Sequence, residues 1–180
     1  MPHQLSRRDF LRKAGYGSFF IAGMLGRNAA AGPDPASWRK QSPNDKLNIG
    51  IIGVANRATA NIDGVKGENI VALCDVDQSY LDGATRKFPK AEGYRDFRKM
   101  LERSDLDAVV VSTADHTHAI ASVTAMKLGL HVYCEKPLTH SVYEARLIAK
   151  TALDTKRITQ MGTQVHAEKN YRRVVELVQS

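Results

Sequence analysis

From Leu47 onward, short apolar runs alternate with longer amphipathic stretches. Leu47, Ile49, Ile51 and Ile52 form a near-continuous apolar run, the pattern of a strand buried on both faces. Gly53 ends that run, and Thr59 to Val65 predicts a helix of about two turns. Gly67 breaks the helix, and Ile70 to Cys74 is a second apolar strand. Asp77 to Phe88 reads as a helix stopped by Pro89, and Gly93-Tyr94 as a short extended piece. Asp96 to Leu101 is helical in pattern, with Phe97, Met100 and Leu101 on one face. A turn at Ser104–Asp107 leads into a third buried strand, Ala108 to Val111. A helix to Leu128, ended by Gly129, precedes the strand His131 to Cys134.

Ser141-Val142-Tyr143-Glu144 matches a capping box and so starts a helix, with an apolar stripe through Ala145, Ile148, Ala149 and Ala152. Arg157 to Met161 is the last strand, closed by Gly162, and Glu168 to Ser180 is a final helix. Strands alternating with helices imply an α/β fold, a parallel sheet covered on both faces. Ligands of such sheets bind outside the C-terminal strand ends. Gly53, Asp75, Ser112–His118, Glu135–Pro137 and Gly162–Gln164 all follow strand ends, so they converge on one edge.

The first crossover carries recognisable chemistry. Gly53-Val54-Ala55-Asn56-Arg57-Ala58 is a GxGxxG-like turn with alanine at the second and third glycine positions. Gly53 lets the strand turn sharply into the helix, whose free amides and dipole attract a pyrophosphate. Asp75 lies 22 positions after Gly53, at the end of the second strand, where an acid accepts hydrogen bonds from the adenosine ribose. A carboxylate there repels a 2′-phosphate, which favours NAD over NADP. Ala58 suits a position that needs only a small residue. Ala55 is a departure, because its methyl group sits where the backbone should approach the pyrophosphate most closely.

Composition excludes several other classes. The chain has 180 residues, 43% hydrophobic and 25% charged, which is globular. Of its net charge of +7, residues 1–31 contribute +4 and the remainder +3. No basic stripe is interleaved with aromatics, so nucleic acid is not an expected partner. Cys74 and Cys134 each end an apolar strand without CxxC spacing and read as small buried hydrophobes. His116 and His118 form an HxH pair with no accompanying carboxylate or cysteine set, so no metal site is expected. His118, at a helix start, reads as structural, and His166 as a loop histidine.

The N-terminus reads as an export signal. Ser6-Arg7-Arg8-Asp9-Phe10-Leu11-Arg12-Lys13 is a twin-arginine signature, followed by an apolar, glycine-containing stretch from Ala14 to Leu25 and then Ala29-Ala30-Ala31. The expectation is cleavage near Ala31, a linker over residues 32–45 containing Pro33, Pro35 and Pro43, and a periplasmic or secreted protein. The partner would be the twin-arginine export machinery, which carries folded proteins, so the cofactor would be loaded before export.

GIIGVANRA, VALCDVD, VVVSTADHTHA, HVYCEKPL and MGTQ together resemble the Gfo/Idh/MocA oxidoreductases, over residues 46 to 180. The resemblance implies a Rossmann-type doubly wound sheet that binds NAD over residues 46–163. It implies that Gly53, Ala55, Asn56, Arg57 and Ala58 line the pyrophosphate turn and that Asp75 holds the adenosine ribose. Ser112, Thr113 and His116 would border the nicotinamide half, and Glu135 the nicotinamide ribose region. Lys136 would face both nicotinamide and substrate, Pro137 would fix that turn through a bond that can be cis, and Gln164 would lie near the nicotinamide. Ala114 departs from the family, which usually has proline there. The chemistry suits Lys136: a hydroxyl that loses hydride from its carbon must also lose a proton, and a neighbouring cation stabilises the alkoxide.

The resemblance further implies a sugar or cyclic polyol substrate and a homo-oligomeric full-length form. In the family an α+β substrate domain follows, which residues 164–180 only begin. The expectation is therefore either the nucleotide-binding half of an NAD-dependent oxidoreductase or a truncated, catalytically silent NAD-binding module.

Overall fold

The computed structural model describes residues 45–167 and 169–180. The predicted signal peptide and nearly all of the linker fall outside the described residues. Six strands form one sheet: β1 (Asn48–Ile52), β2 (Asn69–Cys74), β3 (Glu92–Tyr94), β4 (Ala108–Val111), β5 (His131–Glu135) and β6 (Thr159–Gly162). Their spatial order is β3-β2-β1-β4-β5-β6, and every neighbouring pair is parallel. That is the doubly wound order whose direction of progression reverses between β1 and β4.

The helices are α1 (Ala58–Val65), α2 (Gln78–Lys87), α3 (Phe97–Met100), α4 (Asp115–Lys127), α5 (Val142–Thr155) and α6 (Lys169–Gln179), with a 3₁₀ turn at Gln164–Ala167. Strand alternation sorts the core into two layers. On one face Ile49, Ile51, Leu73 and Val110 meet Ala58 and Ile62 of α1 and Leu81 and Ala84 of α2. On the other face Ile52, Ala72, Val109, Val111 and Cys134 meet Met100 of α3, residues of α4 including Ala121 and Met126, and Ile148 of α5. The central strands are buried on both sides, which is why they read as continuous apolar runs rather than alternating ones.

Local signals set the helix starts. Asp77 accepts from the amides of Ser79 and Tyr80, and Asp96 from that of Arg98. The hydroxyl of Ser141 accepts from the Glu144 amide at 3.3 Å, the forward arm of the predicted capping box. The return arm reaches one residue early: Glu144 accepts from the His140 amide.

Two expectations are corrected. The buried face of α5 runs through Ile148 and Thr151, with Leu147 and Ala152 partly covered, while Ala145 and Ala149 are exposed. The alanine spacing was misleading because small side chains fit either face, whereas the bulky Leu147–Ile148 pair sets the rotation of the helix. The last strand begins at Thr159 rather than Arg157, and Thr159, Gln160 and Met161 are exposed, as befits a strand at the sheet's edge.

Candidate functional site

Parallel strands place all of their C-terminal ends on one edge, so the loops leaving β1, β2, β4, β5 and β6 share it. The glycine turn leaves β1 with Gly53 at φ +86°. A Cβ at that position would lie 2.6 Å from the backbone oxygen of Ser112. Only glycine therefore fits, for two independent reasons: the left-handed backbone and the closeness of the loop after β4. The Gly53 amide donates to Cys74 at 2.8 Å, and the Ser112 amide donates to Ile52 at 2.8 Å, so the three strand ends are stitched together.

The turn enters α1 through Asn56 at φ 52° and Arg57, and no side chain caps the helix. The Ala58, Thr59 and Ala60 amides donate back to the Ala55, Asn56 and Arg57 carbonyls, and with no side-chain cap the positive end of the helix dipole faces the turn, an arrangement suited to a phosphate. Ala58, the first residue of α1, is fully buried against the sheet, whereas Ala55 is partly exposed and Asn56 and Arg57 are exposed.

Asp75 follows β2 beside this turn. One carboxylate oxygen accepts from the Val54 amide at 3.0 Å and the other from the Asp77 amide at 3.0 Å. The acid thus holds the glycine turn as well as facing the edge, and each oxygen keeps a lone pair for a further donor.

Glu135, the last residue of β5, lies on the far side of the topological switch point. It is only 3% exposed. Oε1 accepts from Arg57 Nε at 3.0 Å, from Asn61 Nδ2 at 3.1 Å and from Gln164 Nε2 at 2.7 Å. Oε2 accepts from Gln164 Nε2 at 3.0 Å and from the Lys136 amide at 3.2 Å. Burial pushes its carboxyl up, but Arg57, Asn61, Gln164 and the Lys136 amide together outweigh burial and hold it below the usual range. Gly162 makes room for this group: a Cβ there would lie 2.6 Å from Tyr133 Oη and 2.9 Å from Glu135 Oε1.

Sequence reasoning missed Asn61. It is buried in α1, donates to Ser112 Oγ at 2.8 Å and to Glu135, and so ties the loop after β4 to the end of β5. The available signal was a polar residue on the buried stripe of α1, between Ala58 and Ile62.

Lys136 and Pro137 are exposed beyond Glu135 and joined by a cis peptide bond. Ser112 and Thr113 are partly buried, and the Thr113 hydroxyl accepts from Thr117 at 2.6 Å. His116 is exposed on the first turn of α4, so it stands apart from the buried network. The two halves of the edge thus meet through Glu135, with Arg57, Asn61 and Gln164 reaching it from α1 and from the loop after β6. Cys74 and Cys134 are buried, and burial pushes their thiols up to about 12 and about 11. Among the described residues no group of three His, Cys, Asp or Glu is arranged to hold a metal ion, and no helix is long and apolar enough to cross a membrane.

Comparison with known proteins agrees with this architecture. Residues 47–163 match the family described as "Oxidoreductase family, NAD-binding Rossmann fold", GFO_IDH_MocA. A curated relative, alpha-N-acetylgalactosaminidase of Shewanella oneidensis, is 28% identical over 98% of this chain and 43% of its own length. The fold is similar to that of myo-inositol 2-dehydrogenase from Lactobacillus plantarum, with a TM-score of 0.68 at 25% identity, covering 75% of this chain and 41% of that one. An NAD binding oxidoreductase from Klebsiella pneumoniae matches with a TM-score of 0.59 at 29% identity, over 65% of this chain and 34% of that one. The chain spans less than half the length of these relatives. With a family match over more than half of its residues, the chain belongs to the Gfo/Idh/MocA oxidoreductases, in their NAD-binding Rossmann domain.

Proposed function

We propose that this chain is the nucleotide-binding half of an NAD-dependent oxidoreductase acting on a hydroxyl-bearing carbon of a sugar or cyclic polyol. The observation that carries the proposal is the joining of two loop groups across the switch point. The uncapped start of α1 and Asp75 stand on one side, the Glu135–Lys136 turn on the other, and Arg57 bonds Glu135 between them. The residues fit the cofactor: an exposed turn at Asn56 and Arg57 at the start of α1 for a pyrophosphate, a carboxylate at Asp75 for ribose hydroxyls, and an exposed lysine at Lys136 for the reacting end. Asp75 selects NAD, since a 2′-phosphate beside it would be repelled.

The bound nicotinamide supplies hydride transfer. Oxidation of the alcohol would send a hydride from carbon to the nicotinamide and release a proton from oxygen to water, and Lys136 would stabilise the charge that develops on oxygen. Glu135 holds the Lys136 amide and thereby the backbone from which that side chain extends. Ser112, Thr113, His116 and Gln164 border the same end of the site.

The name of the Shewanella relative favours a second reading of the same chemistry, glycoside cleavage dependent on a nicotinamide cofactor. The two differ in product: a dehydrogenase accumulates NADH, while a glycosidase releases sugar with no net change in NADH.

Three further points belong to this reading. Residues 1–31 direct twin-arginine export to the periplasm or beyond, the substrate is a small molecule, and the full-length form is a homo-oligomer. The reading of residues 1–31 rests on Arg7-Arg8, the apolar stretch Ala14 to Leu25 and Ala29-Ala30-Ala31.

The direct test is titration of NADH fluorescence with the purified chain. Saturable NADH binding, weaker NADPH binding, and weaker binding by Asp75→Ala are expected. Preference for NADPH refutes the role of Asp75, and binding without turnover on a sugar panel by the chain joined to its substrate domain leaves only a silent NAD-binding module. Export is tested by replacing both Arg7 and Arg8 with lysine, which should strand a fused reporter in the cytoplasm.

A further inference from the structure

We infer that His118 is a positioning residue that fixes the Lys136–Pro137 turn against the loop after β4. The inference rests on the proposed placement of the nicotinamide end.

The ring is 1% exposed, on the fourth residue of α4. Nδ1 lies 2.7 Å from the Pro137 carbonyl oxygen and Nε2 lies 3.0 Å from the Thr113 carbonyl oxygen. Both ring nitrogens therefore meet backbone carbonyls, one from each loop that borders the proposed nicotinamide end. A neutral ring offers one N–H and a protonated ring two, so at least one carbonyl is always served.

The need for such a brace follows from the sheet. β4 and β5 run in parallel register only as far as Val111 opposite Cys134. Beyond that pair the backbones leave the ladder, yet Thr113 and Lys136 must keep a fixed separation if one ligand is to touch both. Glu135 fixes the strand end from the α1 side through Arg57 and Asn61. His118 fixes the continuing turn from the α4 side. Lys136 is thus flanked by two anchored residues, Glu135 before it and Pro137 after it, which limits the arc its side chain sweeps.

A generic core histidine would affect the whole domain, whereas both hydrogen bonds of this one end on the nicotinamide-side loops. Among the described residues, neither hydrogen bond of the ring goes to the glycine turn or to Asp75, which hold the adenosine side. His118 therefore controls affinity for the nicotinamide half of the cofactor selectively.

The test compares NADH with ADP, which carries only the adenosine half, on the full chain. His118→Phe fills the space and donates nothing. It should lose roughly fivefold to tenfold in NADH affinity, the order of one hydrogen bond, while ADP affinity stays within about twofold. Unchanged NADH affinity, or an equal loss for both ligands, overturns the inference. If His118→Phe does not fold, His118→Gln, which keeps an amide donor, should show a smaller loss with the same selectivity for NADH. Failure of both variants to fold assigns the ring to stability alone and overturns the positioning role. Absence of NADH binding by the unsubstituted chain refutes the functional reading itself, which separates that failure from this one.

Discussion

Replacing Glu135 by glutamine changes one oxygen into an amide and removes a buried charge. Whichever way the amide turns, its NH₂ faces donors. On the Oε1 side these are Arg57, Asn61 and Gln164, and on the Oε2 side Gln164 and the Lys136 amide. The cheaper orientation loses the Oε2 contacts and weakens the others, which no longer end on a charge. Hydrogen bonds to charged groups contribute about 1.5–3 kcal/mol each, and a donor left buried without a partner costs about 1–3 kcal/mol. Arg57 is half-exposed and recovers solvation, and Gln164 can rotate, so the net expected loss is about 2–4 kcal/mol. Urea unfolding of the full chain, followed by circular dichroism, measures it as a lower midpoint at constant slope. Acid supplies an independent reading. The Glu135 carboxyl is depressed below its ordinary value of 4.5. Its contribution is therefore complete above that value and disappears as pH falls through the lower folded value. Wild type and Glu135→Gln should accordingly converge in strong acid and diverge at neutral pH. A neutral-pH difference below about 0.5 kcal/mol refutes the reasoning, because a carboxylate with four donors cannot be that easily replaced.

Gly53→Ala must place a Cβ 2.6 Å from the Ser112 backbone oxygen at φ +86°; a loss of about 3 kcal/mol or more is expected in thermal melts, and a neutral result would deny the turn geometry. Gly162→Ala places its Cβ 2.6 Å from Tyr133 Oη, a clash with a side chain, so about 1–3 kcal/mol is expected. Adding Tyr133→Phe should recover part of that cost, and strict additivity of the two changes would show that the hydroxyl is not the obstacle. Cys74 and Cys134, with thiols pushed up to about 12 and about 11, should resist thiol reagents at neutral pH until denaturant is added; rapid labelling of the native chain would contradict their burial.

The fold was legible in the sequence because burial on both faces leaves little room for polar residues. Ile49, Ile51 and Ile52 in β1, and the valines of β4, announce themselves as strands, and Gly53, Gly67, Gly129 and Gly162 punctuate them. Helix starts were equally readable where a cap does the work, as at Asp77, Asp96 and Ser141. The rotation of α5 was not, since alanines carry little information about facing. The edge position of β6 was also hidden, because it depends on the topology of the whole sheet.

The site divides along the same line. Residues whose role follows from their place at a strand end, such as Gly53 and Asp75, could be placed by counting along the chain. Residues that act through a side chain reaching across the sheet could not. Arg57 meets Glu135 across 78 positions, and Asn61 meets it across 74. No local pattern encodes such distances. What the cross-ties reveal is a division of labour in the Glu135-Lys136-Pro137 turn. Glu135 turns inward and spends its lone pairs on the protein, joining the loop that opens α1 to the loop after β6. Lys136 turns outward with its backbone held on both sides. A buried anion at the switch point thus couples the loop that opens α1, where the pyrophosphate is proposed to bind, to the Lys136 side, where the reaction is proposed to occur. Loosening Glu135 should therefore disturb the proposed cofactor binding, although its side chain is almost wholly buried.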